Sequence, residues 1–275
     1  MSTLPTLTTL KLDRDGHVAR LVMNRPEKLN SFTVEMWDEM RALGRELCAD
    51  PGDIRALIVT GEGRAFSSGI DTSVFTSGGA PSAGGELPPG EDPTVAMVMR
   101  TQSSYTWLED APFATIAAVR GYALGAGLQI ALACDVRVFA RGTSVGLLEM
   151  KYGIIPDLGG TQRLPRLVGP GKAKELIFTS ARIDAEEAYR IGMCEQLVDE
   201  ADLDETAAEL ARRIAAQPPL AVRAAKRAVN AATDVPIEQG LRIEAEGQAT
   251  CLPSEDMREA ITAFVQQRPP VYKNR

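Results

Sequence analysis

The chain has 275 residues, 44% hydrophobic and 24% charged, which suits one large globular domain or a domain with a smaller appendage and excludes disorder and collagen. Lys and Arg number 30 against 37 Asp and Glu, for a net charge of −7, so the surface repels polyanions and nucleic acid is not expected as a partner. The longest apolar stretch, from Ala111 onward, is broken by Arg120, Gln129 and Asp135, and no membrane span is expected.

Segments 8–13 and 17–23 read as two short strands around an Asp15-Gly16 turn, the second ended by Arg25-Pro26. Residues 33–49 place Val34, Met36, Trp37, Met40, Leu43 and Leu47 at helical spacing, with Ser31 or Thr33 as cap. Two buried strands are expected at 54–61 and 114–119. Between them, residues 76–93 are too rich in Gly and Pro for regular structure and read as a loop or lid; a helix is expected over 95–108. Another helix is expected over 126–134, directly after Gly125. From Asp184 the pattern turns helical, over 185–191, 203–216, 221–233, 236–249 and 256–267. Strands alternating with helices predict an α/β fold with a helical C-terminal part.

Cys48, Cys134, Cys194 and Cys251 lie far apart without a C-x-x-C pair, so reduced, mostly buried thiols are expected rather than zinc ligands or disulfides. No secretory signal pattern opens the chain, and a cytoplasmic location is expected. One histidine, His17, sits at the first turn, too little for a Ser-His-Asp triad or a multi-histidine metal site. Carboxylates, backbone amides and lysines remain for chemistry.

Gly169-Pro-Gly-Lys172 lacks the first glycine and the Ser or Thr of a phosphate loop, and Gly125-Ala-Gly lacks the third glycine of a dinucleotide fingerprint. Two other stretches carry more. Gly61 to Asp71 follows a strand and is rich in small residues, which lets backbone amides face a ligand; its plain structural reading is a tight connection. Gly121-Tyr-Ala-Leu-Gly-Ala-Gly leads into a helix whose first amides sit at the positive end of the dipole; its plain reading is close packing through glycine. Together they offer two sets of donors to one oxygen.

Asn24-Arg-Pro-Glu-Lys-Leu-Asn-Ser, Gly63-Arg-Ala-Phe-Ser-Ser-Gly-Ile-Asp, Gly121-Tyr-Ala-Leu-Gly-Ala-Gly, Ala133-Cys-Asp-Val-Arg and Gly153-Ile-Ile-Pro-Asp-Leu-Gly-Gly-Thr-Gln-Arg-Leu-Pro resemble the enoyl-CoA hydratase/isomerase (crotonase) family, in the right order over nearly the whole chain. The resemblance implies a spiral of ββα turns over 1–200 with the CoA thioester site, and a helical region over 201–275 that packs homotrimers or dimers of trimers. It implies an oxyanion hole from the Ile70 and Ala126 N–H groups, with Ala126 in place of the usual glycine. CoA contacts map to Lys28, Leu29 and Ser68, and Phe264 is matched to a residue that reaches a neighbour's ligand, although the lysine often found three residues later is Gln267 here. CoA enters as part of an acyl-CoA substrate, with no other cofactor and no metal.

Removing a proton beside a thioester makes an enolate, whose oxygen needs preorganised donors and whose carbon needs a base. Hydratases of the family use two glutamates about twenty residues apart. Here the first position is Gln129, eight residues after Gly121, and the second is Glu149. An amide can bond a water but cannot exchange protons near neutral pH, so isomerisation through Glu149 alone is expected ahead of hydration. Asp157, eight residues beyond Glu149, matches an acid of dienoyl-CoA isomerases; alternatively it caps the turn after Pro156. Asp71 is expected to fix the loop beside Ile70, and Asp135 to bond backbone or Arg137. A hydratase in which Gln129 only positions water, and a non-catalytic acyl-CoA-binding subunit, are the alternatives.

Overall fold

The protein is described by a computed structural model covering residues 5–76, 90 and 92–275, so most of the 76–93 loop lies outside the described residues. β1 (Leu10–Asp15) and β2 (Val18–Met23) form the expected antiparallel hairpin, with Gly16 at φ +57° in the turn. α1 (Val34–Ala49) takes Thr33 as its cap, whose hydroxyl accepts the Met36 N–H. β3 (Ala56–Gly61) and the single turn α2 (Ser73–Thr76) follow. α3 (Pro93–Asp110) begins before the apolar period does, because Asp92 accepts the Thr94 N–H and Pro93 stands in the first turn.

β4 (Ala114–Val119), β5 (Tyr122–Leu124), α4 (Ala126–Ala133), β6 (Val136–Ala140) and β7 (Ser144–Gly146) come next. They precede α5 (Gly160–Val168), α6 (Pro170–Thr179), β8 (Ile183–Asp184), α7 (Ala185–Arg190) and β9 (Gln196–Val198). The chain then runs through α8 (Leu203–Ala215), α9 (Pro219–Ala231), α10 (Ile237–Cys251) and α11 (Glu255–Val265). Sequence periodicity gives no element to the stretch from β6 to α6. Its strands are too short to alternate visibly, and Pro165 inside α5 masks that helix.

The larger sheet has the order β1-β2-β3-β4-β6-β9, parallel from β2 onward, and a smaller one has the order β5-β7-β8. Each new parallel strand is added on the same side. After β4 the chain crosses to β5 in the smaller sheet, then through α4 back to β6, and after β6 it crosses to β7. The turn before this one contributes Ser67, which bridges to Ala123 of β5. This is a spiral of strand, strand, helix steps, and it stacks the segment after β3 directly beside the segment after β4.

Side chains alternate across the larger sheet. Leu57 and Val59 of β3 enter the main core with Leu43, Tyr105 and Phe139, whereas Ile58 faces α8 together with Ile116 and Val138. From α8, Leu203, Ala207, Ala211 and Ala215 repeat every four residues along that contact. Small alanines let the helix lie close to the sheet.

α9 is fastened to this body by Lys226. Its ammonium lies 2.8 Å from Asp135 Oδ2 and donates to the carbonyls of Leu108 at 2.8 Å and Phe113 at 3.0 Å. Asp135 also accepts the Thr115 N–H at 2.8 Å. Its charged partner is therefore Lys226 and not Arg137, which pairs with Glu195. Burial pushes the Asp135 carboxyl up, and Lys226 opposes that shift. Among the described residues no helix is long and apolar enough to cross a membrane. Lys226→Met is expected to cost about 3 kcal/mol in chemical denaturation, because it strands a largely buried carboxylate and two carbonyls.

Candidate active site

Asn30 organises the first loop. Buried and at φ +54°, it accepts the Arg25 N–H at 2.8 Å and donates to the carbonyls of Glu62 at 2.9 Å and Ala65 at 2.8 Å. The Ser68 N–H donates to the Leu29 carbonyl at 2.9 Å, so Lys28, Leu29 and Ser68 share one edge, with Lys28 exposed. Next to it, Phe32 N–H donates to Gly69 O and Asp71 N–H to Phe32 O. Ile70 lies between these bonds, and its own N–H meets no protein acceptor among the described residues.

Gly69 has φ +104°, and a Cβ there would sit 2.9 Å from the Leu124 carbonyl oxygen and 3.9 Å from the Ala126 nitrogen. Only a glycine lets this loop pass so close to the end of β5. Ala126 is the first residue of α4, so its N–H has no helical partner and carries the partial positive charge of the helix start. It is 1% exposed and packs in the main core, which accommodates the methyl that replaces the usual glycine hydrogen. Between them Gly125, at φ +51° and ψ −121°, turns the chain into α4.

Glu149 stands at the head of a 3₁₀ turn (Glu149–Tyr152) after β7, and is buried. A Cβ on Gly125 would lie 3.2 Å from its Oε1, so the carboxylate sits against the peptide that leads to the Ala126 N–H. One turn into α4, Gln129 donates from Nε2 to Glu149 Oε1 at 2.8 Å. Its Oε1 accepts the N–H groups of Leu158 at 2.8 Å and Gly160 at 2.9 Å. Glu149 Oε2 is buried and has no hydrogen-bond partner among the described residues.

Burial pushes the Glu149 carboxyl above the ordinary range and the negative charge of Asp157 adds to that, against the lowering effect of its own backbone N–H and of the Gln129 bond. Half-buried Asp157 is raised by burial as well. Its carbonyl accepts from Gln102 Nε2 of α3 at 2.6 Å. Tyr105, also on α3, is fully buried, feels both carboxylates and accepts from Trp37 Nε1 at 3.1 Å.

Asp71 fixes the Ile70 loop, as expected. It accepts from Ser73 N–H at 3.0 Å, Arg25 Nη2 at 3.0 Å and Ser31 Oγ at 3.2 Å, and the backbone and side-chain bonds from Ser73, followed by Arg25, hold its carboxyl well below the usual range. The sequence reading missed Arg25, because nothing in a linear motif pairs it with a residue 46 positions away. Leu158 and Gly160 were missed for a similar reason: they act through backbone.

The fold thus brings together Ile70, Ala126, Gln129, Glu149 and Asp157, with Lys28, Leu29 and Ser68 on the adjoining edge. It does not bring in Phe264, which is 85% exposed on α11 and outside this cluster of its own chain. Among the described residues no group of three or more His, Cys, Asp and Glu is placed to hold a metal ion. Two backbone N–H groups without a protein acceptor among the described residues, at Ile70 and Ala126, and one unpartnered oxygen of a buried carboxylate are left for chemistry.

Residues 13–275 match the model of the enoyl-CoA hydratase/isomerase family. The chain is 36% identical to a short-chain-enoyl-CoA hydratase of Clostridium acetobutylicum over 95% of its own length and 96% of the relative's. It superposes on the crystal structure of an enoyl-CoA hydratase from Bacillus anthracis with a TM-score of 0.88 at 35% identity, covering 98% of this chain and 100% of that one. A Thermobifida fusca YX structure in complex with acetoacetyl-CoA matches with a TM-score of 0.78 at 36% identity, over 89% of this chain and 95% of that one.

Gly125→Ala tests the local geometry. Its φ strains any residue with a Cβ by about 1–3 kcal/mol, and the methyl would press on Glu149 Oε1. The expected outcome is a lower melting temperature together with a loss of turnover larger than the fraction unfolded explains.

Proposed function

The chain belongs to the enoyl-CoA hydratase/isomerase family, and within it we propose that this site shifts the double bond of an enoyl- or dienoyl-CoA thioester through an enolate. The thioester oxygen accepts from the Ile70 and Ala126 N–H groups. Glu149 Oε2 takes a proton from the carbon beside the thioester, the electron pair moves onto the oxygen, and the double bond shifts as the same proton returns to the far carbon of the allylic system. With a conjugated diene, Asp157 exchanges the proton at the remote end. Lys28, Leu29 and Ser68 line the approach for the CoA portion. No cofactor is needed beyond the CoA that the substrate carries.

The observation that carries this reading is the state of Gln129. Both acceptor positions of its amide oxygen are filled by Leu158 and Gly160 N–H, so it neither exchanges protons nor accepts a bond from a water. One carboxylate with one free oxygen is what a proton shuttle requires. Burial raises its proton affinity, which brings the shuttle closer to neutral pH and eases both uptake and return.

Hydration of a 2-enoyl-CoA is the second reading, favoured by the hydratase named among the similar chains. In that case water would be held between Glu149 and Asp157. We further propose that chains assemble as trimers or pairs of trimers, with Phe264 at a neighbour's ligand. The exposed Ile261, Phe264 and Val265 of α11 fit such an assembly.

Purified protein is incubated separately with a trans-2-enoyl-CoA and a 3-enoyl-CoA of medium chain length, and products are separated and weighed by mass spectrometry. A product of unchanged mass and shifted retention from the 3-enoyl substrate is expected. A product heavier by one water from the 2-enoyl substrate, with the 3-enoyl substrate untouched, would establish hydration instead. Glu149→Gln is expected to lower turnover by about 10²–10⁴-fold. Because the folded state raises this carboxyl, ionising it at neutral pH opposes folding. The melting temperature of Glu149→Gln is therefore expected to equal or exceed that of the parent.

A further inference from the structure

We infer that Gln129 is the positioning residue of this site: its amide commits Oε1 of Glu149, leaves Oε2 as the reacting oxygen, and braces the turn carrying Asp157 against the same carboxylate. The inference rests on the proton-transfer reading above and adds how the two acids are held in register.

Gln129 Oε1 faces two N–H donors, Leu158 at 2.8 Å and Gly160 at 2.9 Å. Turning the amide over would set its NH₂ against those donors, so the orientation is fixed by the backbone. Nε2 must then point to Glu149, and it does so at 2.8 Å. The result is asymmetric: Oε1 is engaged and Oε2 is bare. A proton arriving at Oε2 does not have to displace a hydrogen bond.

The same amide reaches the second acid through the chain. Leu158, whose N–H it binds, directly follows Asp157. On its other side the Leu158 carbonyl accepts from Arg163 Nη1 at 2.9 Å, and Arg163 is clasped by both oxygens of Glu109 at 2.7 Å each. Gln102 of α3 holds the Asp157 carbonyl at 2.6 Å. Carbonyls of the turn are thus tied to α3 and α5, and its N–H groups to α4. Gly160 is needed for this approach, since a Cβ there would lie 3.0 Å from Gln129 Oε1. Among the described residues, the charged or titratable groups around Glu149 are Asp157 on this turn and Tyr105 on α3, with the Arg163–Glu109 pair behind Leu158.

Full-length protein with ¹³C-labelled glutamate carboxyls is titrated by NMR in the parent, Gln129→Leu and Gln129→Glu, and the resonance absent from Glu149→Gln identifies Glu149. Removing the bond to the charged form raises the proton affinity of Glu149, so in Gln129→Leu it is expected to titrate at higher pH than in the parent. Turnover is expected to fall about 100-fold through kcat with KM little changed, as misplacement by an ångström or so produces. Gln129→Glu keeps an acceptor for Leu158 and Gly160 and guards against a folding failure of the leucine variant. It places two carboxyls in contact that share one proton, so a new alkaline limb in kcat is expected, absent from the parent because an amide does not titrate.

A Glu149 titration that is the same in the parent and in folded Gln129→Leu overturns the inference, as does a Gln129→Glu profile without the added limb. The two claims separate cleanly. If the 3-enoyl substrate is not turned over, the isomerase reading fails while the NMR shift still decides the role of Gln129. If turnover is found and the shift is not, the inference fails and the reading stands.

Discussion

The proposed chemistry depends on two backbone N–H groups, at Ile70 and Ala126, that successive turns of the spiral bring close together. Backbone donors cannot reach; the chain itself must be brought there. Gly69 makes that approach possible, because any Cβ would meet the Leu124 carbonyl at 2.9 Å, and Gly125 then turns the next segment so that α4 begins at Ala126. The bridge between Ser67 and Ala123 sets the register. Asn30 and the Arg25–Asp71 pair lock the outer side of the loop. Preorganisation of this kind gives an oxyanion hole its effect, since the donors need no rearrangement when charge develops.

Electrostatics completes the design around one carboxylate. Burial makes Glu149 more basic than a surface glutamate, while its own backbone N–H and the Gln129 amide limit that rise. Asp71, directly after Ile70, has the opposite environment. Bonds from the Ser73 backbone and side chain and from Arg25 keep it ionised, and its charge fixes the loop.

Much of this was legible in the sequence because it is local. The Asp15-Gly16 hairpin, the Thr33 cap with its apolar stripe, and the buried strands at Ile58 and Ile116 follow from turn chemistry and periodicity. Ile70 and Ala126 are matched through the family resemblance of the motifs Gly63 to Asp71 and Gly121 to Gly127, and their role as donors belongs to the proposed function. What escaped is what folding brings from a distance. Lys226 joins Asp135 across 91 positions of chain, and a search near Asp135 offers Arg137 instead. The saturation of Gln129 depends on main-chain N–H groups of Leu158 and Gly160, which leave no mark in residue type. The strands β5, β6 and β7 have three to five residues each, too few to display a period of two. Phe264 was matched by motif alone, and its own chain leaves it on the surface.

The central claim is geometric: one thioester oxygen sits between Ile70 and Ala126, with Glu149 at the neighbouring carbon. A crystal structure with an unreactive acyl-CoA analogue bound tests it most directly. The account expects the thioester oxygen at about 2.7–3.1 Å from both backbone nitrogens, and Glu149 Oε2, not Oε1, as the carboxylate atom nearest the adjacent carbon. A thioester oxygen bonded to neither nitrogen, or Oε2 turned away from the acyl chain, would contradict it.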